Sequence, residues 1–234
     1  MAPLDGSLIS ALGVGFVLGL RHALDADHIA AVSTFVSRHR GLYAPCMLGT
    51  FWGLGHMAAL VGAALAMTLL RLQIPPQMAT GLEGLAAIVI VILAVDVLRR
   101  AVGGLRIHRH EHAHDGHSHG HLHVHIGSTV SHTHLHVFGG GTRPLLVGAL
   151  HGLAGSAALM LVVVAAMPSV LAALVYVVVF GLGSTVGMVI VSGVLGLPFL
   201  VGGASERARL GLQIAVGVGS LGVGVAMLRS LAAS

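Results

Sequence analysis

Only one cysteine, Cys46, occurs in the chain, which excludes an intrachain disulfide and a cysteine-ligated zinc site. Lysine is absent, and all twelve basic residues are arginine. Nothing resembles the phosphate-binding loop Gly-x4-Gly-Lys-Ser/Thr, so ATP hydrolysis by this chain is not expected. Charge is scarce: Asp, Glu, Lys and Arg together make 9% of 234 residues, against about 25% in a soluble domain. That shortage excludes an ordinary water-soluble globular protein. The opening residues MAPLDGSL have no basic segment, and the apolar stretch behind them is too long for a cleaved signal peptide. It reads as a first permanent span.

What is present is apolar. Hydrophobic residues make 56% of the chain, and the mean hydropathy is +0.94. Glycine is abundant, at 34 residues, as suits helices packed closely in a membrane. A span needs about 20 apolar residues. Six are expected, at 8–36, 45–70, 80–98, 144–166, 170–198 and 209–231. Between them lie the breakers Arg38 to Pro45, Pro75-Pro76, Pro168 and Pro198 to Arg209. The one long connection, 99–143, is polar and rich in histidine. The isoelectric point near 10.6 is better explained by arginines flanking spans than by a nucleic-acid partner. Nine arginines (Arg38, Arg40, Arg99, Arg100, Arg106, Arg109, Arg143, Arg207 and Arg209) follow spans one, three and five, against Arg71 and Arg229 on the other side. By the positive-inside rule the histidine-rich loop faces the cytoplasm and both termini face out.

The two halves of the chain match in order. Gly19-Leu-Arg-His22 aligns with Gly148-Ala-Leu-His151 at an offset of 129. Gly53-Leu-Gly-His56 aligns with Gly181-Leu-Gly-Ser184 at 128, and Gly81-Leu-Glu83 with Gly211-Leu-Gln213 at 130. Three spans per half force the halves into opposite orientations, the inverted-repeat plan of many secondary transporters. The expected fold is thus all-α and polytopic: six transmembrane helices as two inverted three-helix repeats, residues 1–98 and 144–234, joined by a disordered cytoplasmic loop, 99–143. The plan makes His22 and His151 pseudo-equivalent residues facing a shared centre.

Polar groups inside the first span carry the chemistry. Arg21-His-Ala-Leu-Asp-Ala-Asp-His-Ile29 holds His22, Asp25, Asp27 and His28 in an apolar setting, where a central charge costs roughly 2.5–3.5 kcal/mol. Such groups pair with one another, face a wet cavity or bind an ion. On an ideal helix His22, Asp25 and His28 share one slanting face, and Asp27 points elsewhere. Either the helix is unwound so that His22, Asp27 and His28 converge, or Asp25 is a ligand and Asp27 holds a neighbouring side chain. Asp25 could also neutralise Arg21 four residues before it. His56 in span two and His151 in span four complete the expected metal set. Each alone would more often be a packed, hydrogen-bonded histidine. Imidazole with few carboxylates suits nickel or cobalt, also zinc or copper(II), and not magnesium or calcium. Asp96 is expected to pair with Arg99 and Arg100.

The loop carries His108, His110, His112, His114, His117, His119, His121, His123, His125, His132, His134 and His136. Such tracts bind metal exchangeably, and their composition supports no packed core. A buffering, sensing or hand-over role follows. His110-Glu111-His112 is not the zinc-hydrolase motif His-Glu-x-x-His, so an enzyme is not expected.

The segment from Arg21 to Ile29 resembles the first signature, His-x4-Asp-His, of the nickel/cobalt transporter (NiCoT) superfamily. Phe51-Trp-Gly-Leu-Gly-His56 resembles its second. The stretch His151-Gly-Leu-Ala-Gly-Ser-Ala-Ala158 is similar to the shorter nickel-permease-like members associated with urease or hydrogenase maturation. The resemblance implies a multi-pass transporter of the cytoplasmic membrane that takes up Ni²⁺ or Co²⁺ as cargo, with no tightly bound cofactor. His22, Asp27, His28 and His56 would serve metal recognition and passage, and a cytoplasmic nickel chaperone or metalloenzyme-maturation protein would be a partner. The chain departs from the family's usual eight spans with the motif in the second. Around Gly181 to Gly187 there is no acidic residue. Export for metal resistance, or a membrane accessory or sensor without net transport, are the alternative functions.

Overall fold

The computed structural model describes residues 6–39, 41–69, 75–103, 105–114, 117–126, 141–154, 169–201 and 205–233. Among them are seven helices: α1 (Gly6–His22), α2 (Ala26–Val36), α3 (Tyr43–Leu69), α4 (Pro76–Gly103), α5 (Thr142–Ala154), α6 (Val170–Val201) and α7 (Glu206–Ala233). Four of these, α3, α4, α6 and α7, are long and apolar enough to cross a membrane, and α1 with α2 makes a fifth span if the bent pair is counted as one. The fourth expected span, 144–166, is described only as far as Ala154.

Prolines explain several boundaries. Pro76 opens α4, where its missing N–H would have had no helical partner anyway. Pro45 lies in the first turn of α3 for the same reason. Pro198, expected in the connection after span five, instead lies inside α6, which continues to Val201. So near a helix end, a proline disturbs only the last turn.

The loop also differs from expectation. Leu105–His114 (β1) and His117–Ile126 (β2) pair as an antiparallel hairpin rather than irregular chain. The register sets His108 opposite His123, His110 opposite His121, His112 opposite His119 and His114 opposite His117. Strict alternation of histidine with other residues has the period of a strand, and two such runs can pair locally. His132, His134 and His136 lie outside the described residues.

α3 packs along both α6 and α5, α1 along α6, and α4 along α7, while α2 lies against α7 and α4. Glycines set the closest approaches. A methyl group added to Gly19 in α1 would strike the Phe180 carbonyl in α6, and one added to Gly148 in α5 would strike the Trp52 carbonyl in α3. Likewise Gly183 abuts the Phe16 carbonyl, and Gly55 abuts the Leu145 carbonyl. Each contact maps onto its counterpart by the 128- and 129-residue offsets at which the two halves of the sequence match. Around α2 the core gathers Val32, Phe35, Val36, Trp52, Ile90 and Met188. The outside is apolar too: Val17, Ile92 and Val218 are 61%, 60% and 58% exposed. An apolar exterior around an all-helical bundle suits lipid rather than water.

At one end of the bundle Asp96 accepts hydrogen bonds from Arg38 (2.6 Å) and Arg100 (3.0 Å). The Arg100 pair follows from helical spacing. The other expected partner, Arg99, is replaced by Arg38, which α2 delivers from across the α2–α4 contact.

Candidate metal site

α1 stops at His22. The Leu24 N–H donates to the Arg21 carbonyl (2.9 Å) and the Asp25 N–H to the His22 carbonyl (3.1 Å), the tightened pattern of a terminating helix. Asp25 is then extended (φ −62°, ψ 144°), and α2 departs from Ala26 at 56° to α1. An aspartate in this position ordinarily caps the new helix with its carboxylate. Asp25 does not; its Oδ2 accepts a hydrogen bond from His22 Nδ1 at 2.7 Å. Asp27 falls in the first turn of α2, where the helix dipole favours a negative charge. Its Oδ1 accepts from His28 Nδ1 at 3.0 Å, and its Oδ2 lies 3.8 Å from His151 Nε2.

The two carboxylates therefore act alike. A carboxylate can only accept, so each fixes its histidine as the Nδ1–H tautomer and leaves Nε2 with a free lone pair. Those two Nε2 atoms are buried, as are both ring nitrogens of His56, and none has a hydrogen-bond partner among the described residues. Ligand atoms of His22, His28 and His56 all lie within 4.8 Å of one another. The ring centroids are 4.6 Å apart for His22 and His28, 5.1 Å for His22 and His56, and 5.4 Å for His28 and His56. His151 adjoins the cluster, 5.2 Å from His28 ring to ring. An unpartnered buried polar group costs about 1–3 kcal/mol. Three imidazoles with such nitrogens, brought this close together, are relieved together by a cation that accepts nitrogen ligands. A second grouping of Asp25, Asp27 and His28 satisfies the same 4.8 Å limit, but its carboxylates are engaged by histidine.

Of the sequence-level alternatives for the span-one motif, one feature of each is present. The helix is broken, yet Asp27 holds a neighbouring histidine. Asp25 is bonded to His22 and not to Arg21, and it lies at the rim with its side chain 53% exposed. His28, His56 and His151 are fully or almost fully buried. The hairpin histidines are placed by backbone register alone. Trp52 was not singled out by the sequence reasoning. Its ring lies 5.1 Å from that of His151 and 6.4 Å from that of His28, closing the apolar side of the cluster. The signal was there, since Trp52 is the chain's single tryptophan and sits four residues before His56.

Imidazole nitrogens backed by carboxylates form a donor set for a divalent transition metal such as nickel, cobalt, zinc or copper(II). Comparison with known proteins narrows the field. The chain is similar to the urease accessory protein UreH of Bacillus sp. (strain TB-90), 30% identical over 68% of this chain and 64% of that one. It is similar to the cobalt transport protein NhlF of Rhodococcus rhodochrous, 33% identical over 42% of this chain and 28% of the relative. It is similar to the nickel transporter NicT of Mycobacterium tuberculosis (strain ATCC 25618 / H37Rv), 40% identical over 25% of this chain and 17% of the relative. The matched segments thus span less than two thirds of each relative's length. No solved structure matches. Residues 8–231 match the family described as "High-affinity nickel-transport protein" (NicO). With a bundle of long apolar helices and a nitrogen-rich cluster at the break between two of them, this chain belongs to that family of membrane transporters, not of enzymes.

Proposed function

We propose that this protein moves Ni²⁺, with Co²⁺ as a second cargo, inward across the cytoplasmic membrane. The observation that carries the reading is the His22, His28 and His56 cluster at the α1–α2 break, with unpartnered nitrogens converging inside the bundle. The ion is cargo: it is captured by these three histidines, and His151 on the neighbouring helix α5 offers its next contact. The two carboxylates aim the ligands rather than bind the metal.

The path runs between two inverted three-helix repeats, residues 1–98 and 144–234. Matched glycine contacts at offsets of 128 and 129 support this plan. The arginine asymmetry supports a cytoplasmic loop and external termini. There the loop histidines buffer the ion before a metalloenzyme-maturation partner takes it, a role in keeping with the relative named as a urease accessory protein.

The test is the nickel content of uptake-deficient cells expressing the intact protein, His22→Ala, or no transporter. Uptake requires content to rise with the intact protein alone. Content falling below the empty control would establish export instead. Equal content in all three would remove net nickel transport and leave the accessory reading.

A further inference from the structure

The arginine-rich end of the bundle contains a feature that metal passage does not use. Between α2, α4 and α5 lies a cavity of about 730 Å³. Its polar wall is Arg38, Arg99 and Arg143 with Asp96, and its apolar wall includes Val91, Ile92, Val95 and Leu146. Asp96 is committed to Arg38 and Arg100. Arg99 and Arg143 have no carboxylate partner among the described residues, and both are exposed. Burial sets the Arg38 pKa below its ordinary value, opposed by the attraction of Asp96 and assisted by the repulsion of Arg100 and Arg143. One carboxylate therefore faces four crowded guanidinium groups. The apolar wall continues outward, with Ile92 60% and Leu146 65% exposed, onto the belt that contacts lipid.

A cationic head and an apolar flank in one cavity match the chemistry of an anionic phospholipid. Guanidinium forks take phosphate oxygens in paired hydrogen bonds, and basic pockets between membrane helices are suited to anionic headgroups. We propose that this cavity is a binding site for an anionic phospholipid, its phosphate held by Arg99 and Arg143 and one acyl chain laid along Val91, Ile92, Val95 and Leu146. A free phosphate would use the arginines but leave the apolar wall unfilled, so the lipid is the occupant that accounts for both.

The test is lipid retention. The full-length protein is equilibrated in mixed phosphatidylglycerol and phosphatidylcholine vesicles, extracted in mild detergent, and its bound lipid counted by native mass spectrometry. Phosphatidylglycerol is expected to be enriched about tenfold over its share of the vesicle. That enrichment should fall to near unity in the double variant Arg99→Gln, Arg143→Gln, and fall only part-way when both become Lys, which keeps the charge but not the paired hydrogen bonds. It should also persist in Arg207→Gln, Arg209→Gln, which removes two arginines elsewhere. Equal retention of the two lipids by the unaltered protein would overturn the proposal, whether or not the variants fold. So would enrichment that survives Arg99→Gln, Arg143→Gln, or that falls equally in the Arg207 and Arg209 variant. Displacement of the lipid by inorganic phosphate at matched concentration would mark a soluble-anion pocket and overturn it too.

Discussion

His22 and His28 each donate Nδ1–H to a carboxylate, which leaves Nε2 free for metal, and the proposed binding depends on that arrangement. Asp27→Asn keeps shape and size but removes the charge that orients His28. Loss of such an outer partner typically costs 10–100-fold in metal affinity, and nickel titration of the purified variant by calorimetry should show a loss in about that range. Asp25→Asn should cost less, because Asp25 is half exposed at the rim and water can replace it. His28→Ala, which removes a ligand, should abolish nickel accumulation in cells. An effect of Asp27→Asn as large as that of His28→Ala would instead make Asp27 a direct ligand. At this scale much was legible. Two histidines and two carboxylates inside an apolar run can hardly be there for packing. Which carboxylate serves which histidine was not legible, because ideal helix geometry points Asp27 away from the others. Only the three-residue break at 23–25 brings it round. Arg38 and Asp96 stand 58 residues apart, and nothing local to either announces the pair.

Helices were read from long apolar runs, and five of the six expected spans have a counterpart among the described elements, with ends displaced by a few residues. The break in span one could be offered only as an alternative, since no glycine or proline lies between His22 and Asp25 to announce it. The hairpin was read as structureless because composition was weighed above period. Close packing was more visible for two of the three matched pairs: Gly19, Gly53, Gly148 and Gly181 are glycines at which helices touch, whereas Gly81 and Gly211 have open space around them. Gly148→Ala would drive a methyl group into the Trp52 backbone, and Gly19→Ala into that of Phe180. Overpacking of this kind typically costs about 1–3 kcal/mol. Both variants should show a lowered thermal midpoint in detergent, whereas Gly62→Ala, with open space around it, should not. A stable Gly148→Ala beside an unstable Gly19→Ala would break the correspondence between the halves.

For the whole molecule, the apolar belt and the uneven arginine distribution support the proposed setting of the bundle in the bilayer. A protease site inserted within residues 127–140 should be cut in inside-out vesicles and protected in right-side-out ones. Cleavage from the outside would reverse the orientation and, with it, the assignment of the loop to the cytoplasm. Deleting residues 105–126 should leave nickel accumulation largely intact, because the proposed binding groups all lie in the helices. Accumulation lost on this deletion but kept in His22→Ala would make the loop the working site.

His22 is the last residue of α1, which rests on α6, while His28 belongs to α2, which rests on α7 and α4. The two imidazoles thus stand on opposite arms of a hinge set at 56°. Opening or closing that hinge changes the spacing of their Nε2 atoms directly, with His56 anchored on a third helix. At the proposed site, grip on the ion would therefore be a function of the bend: a motion that shifts α1 against α2 would also tighten or release the cargo, with no separate trigger.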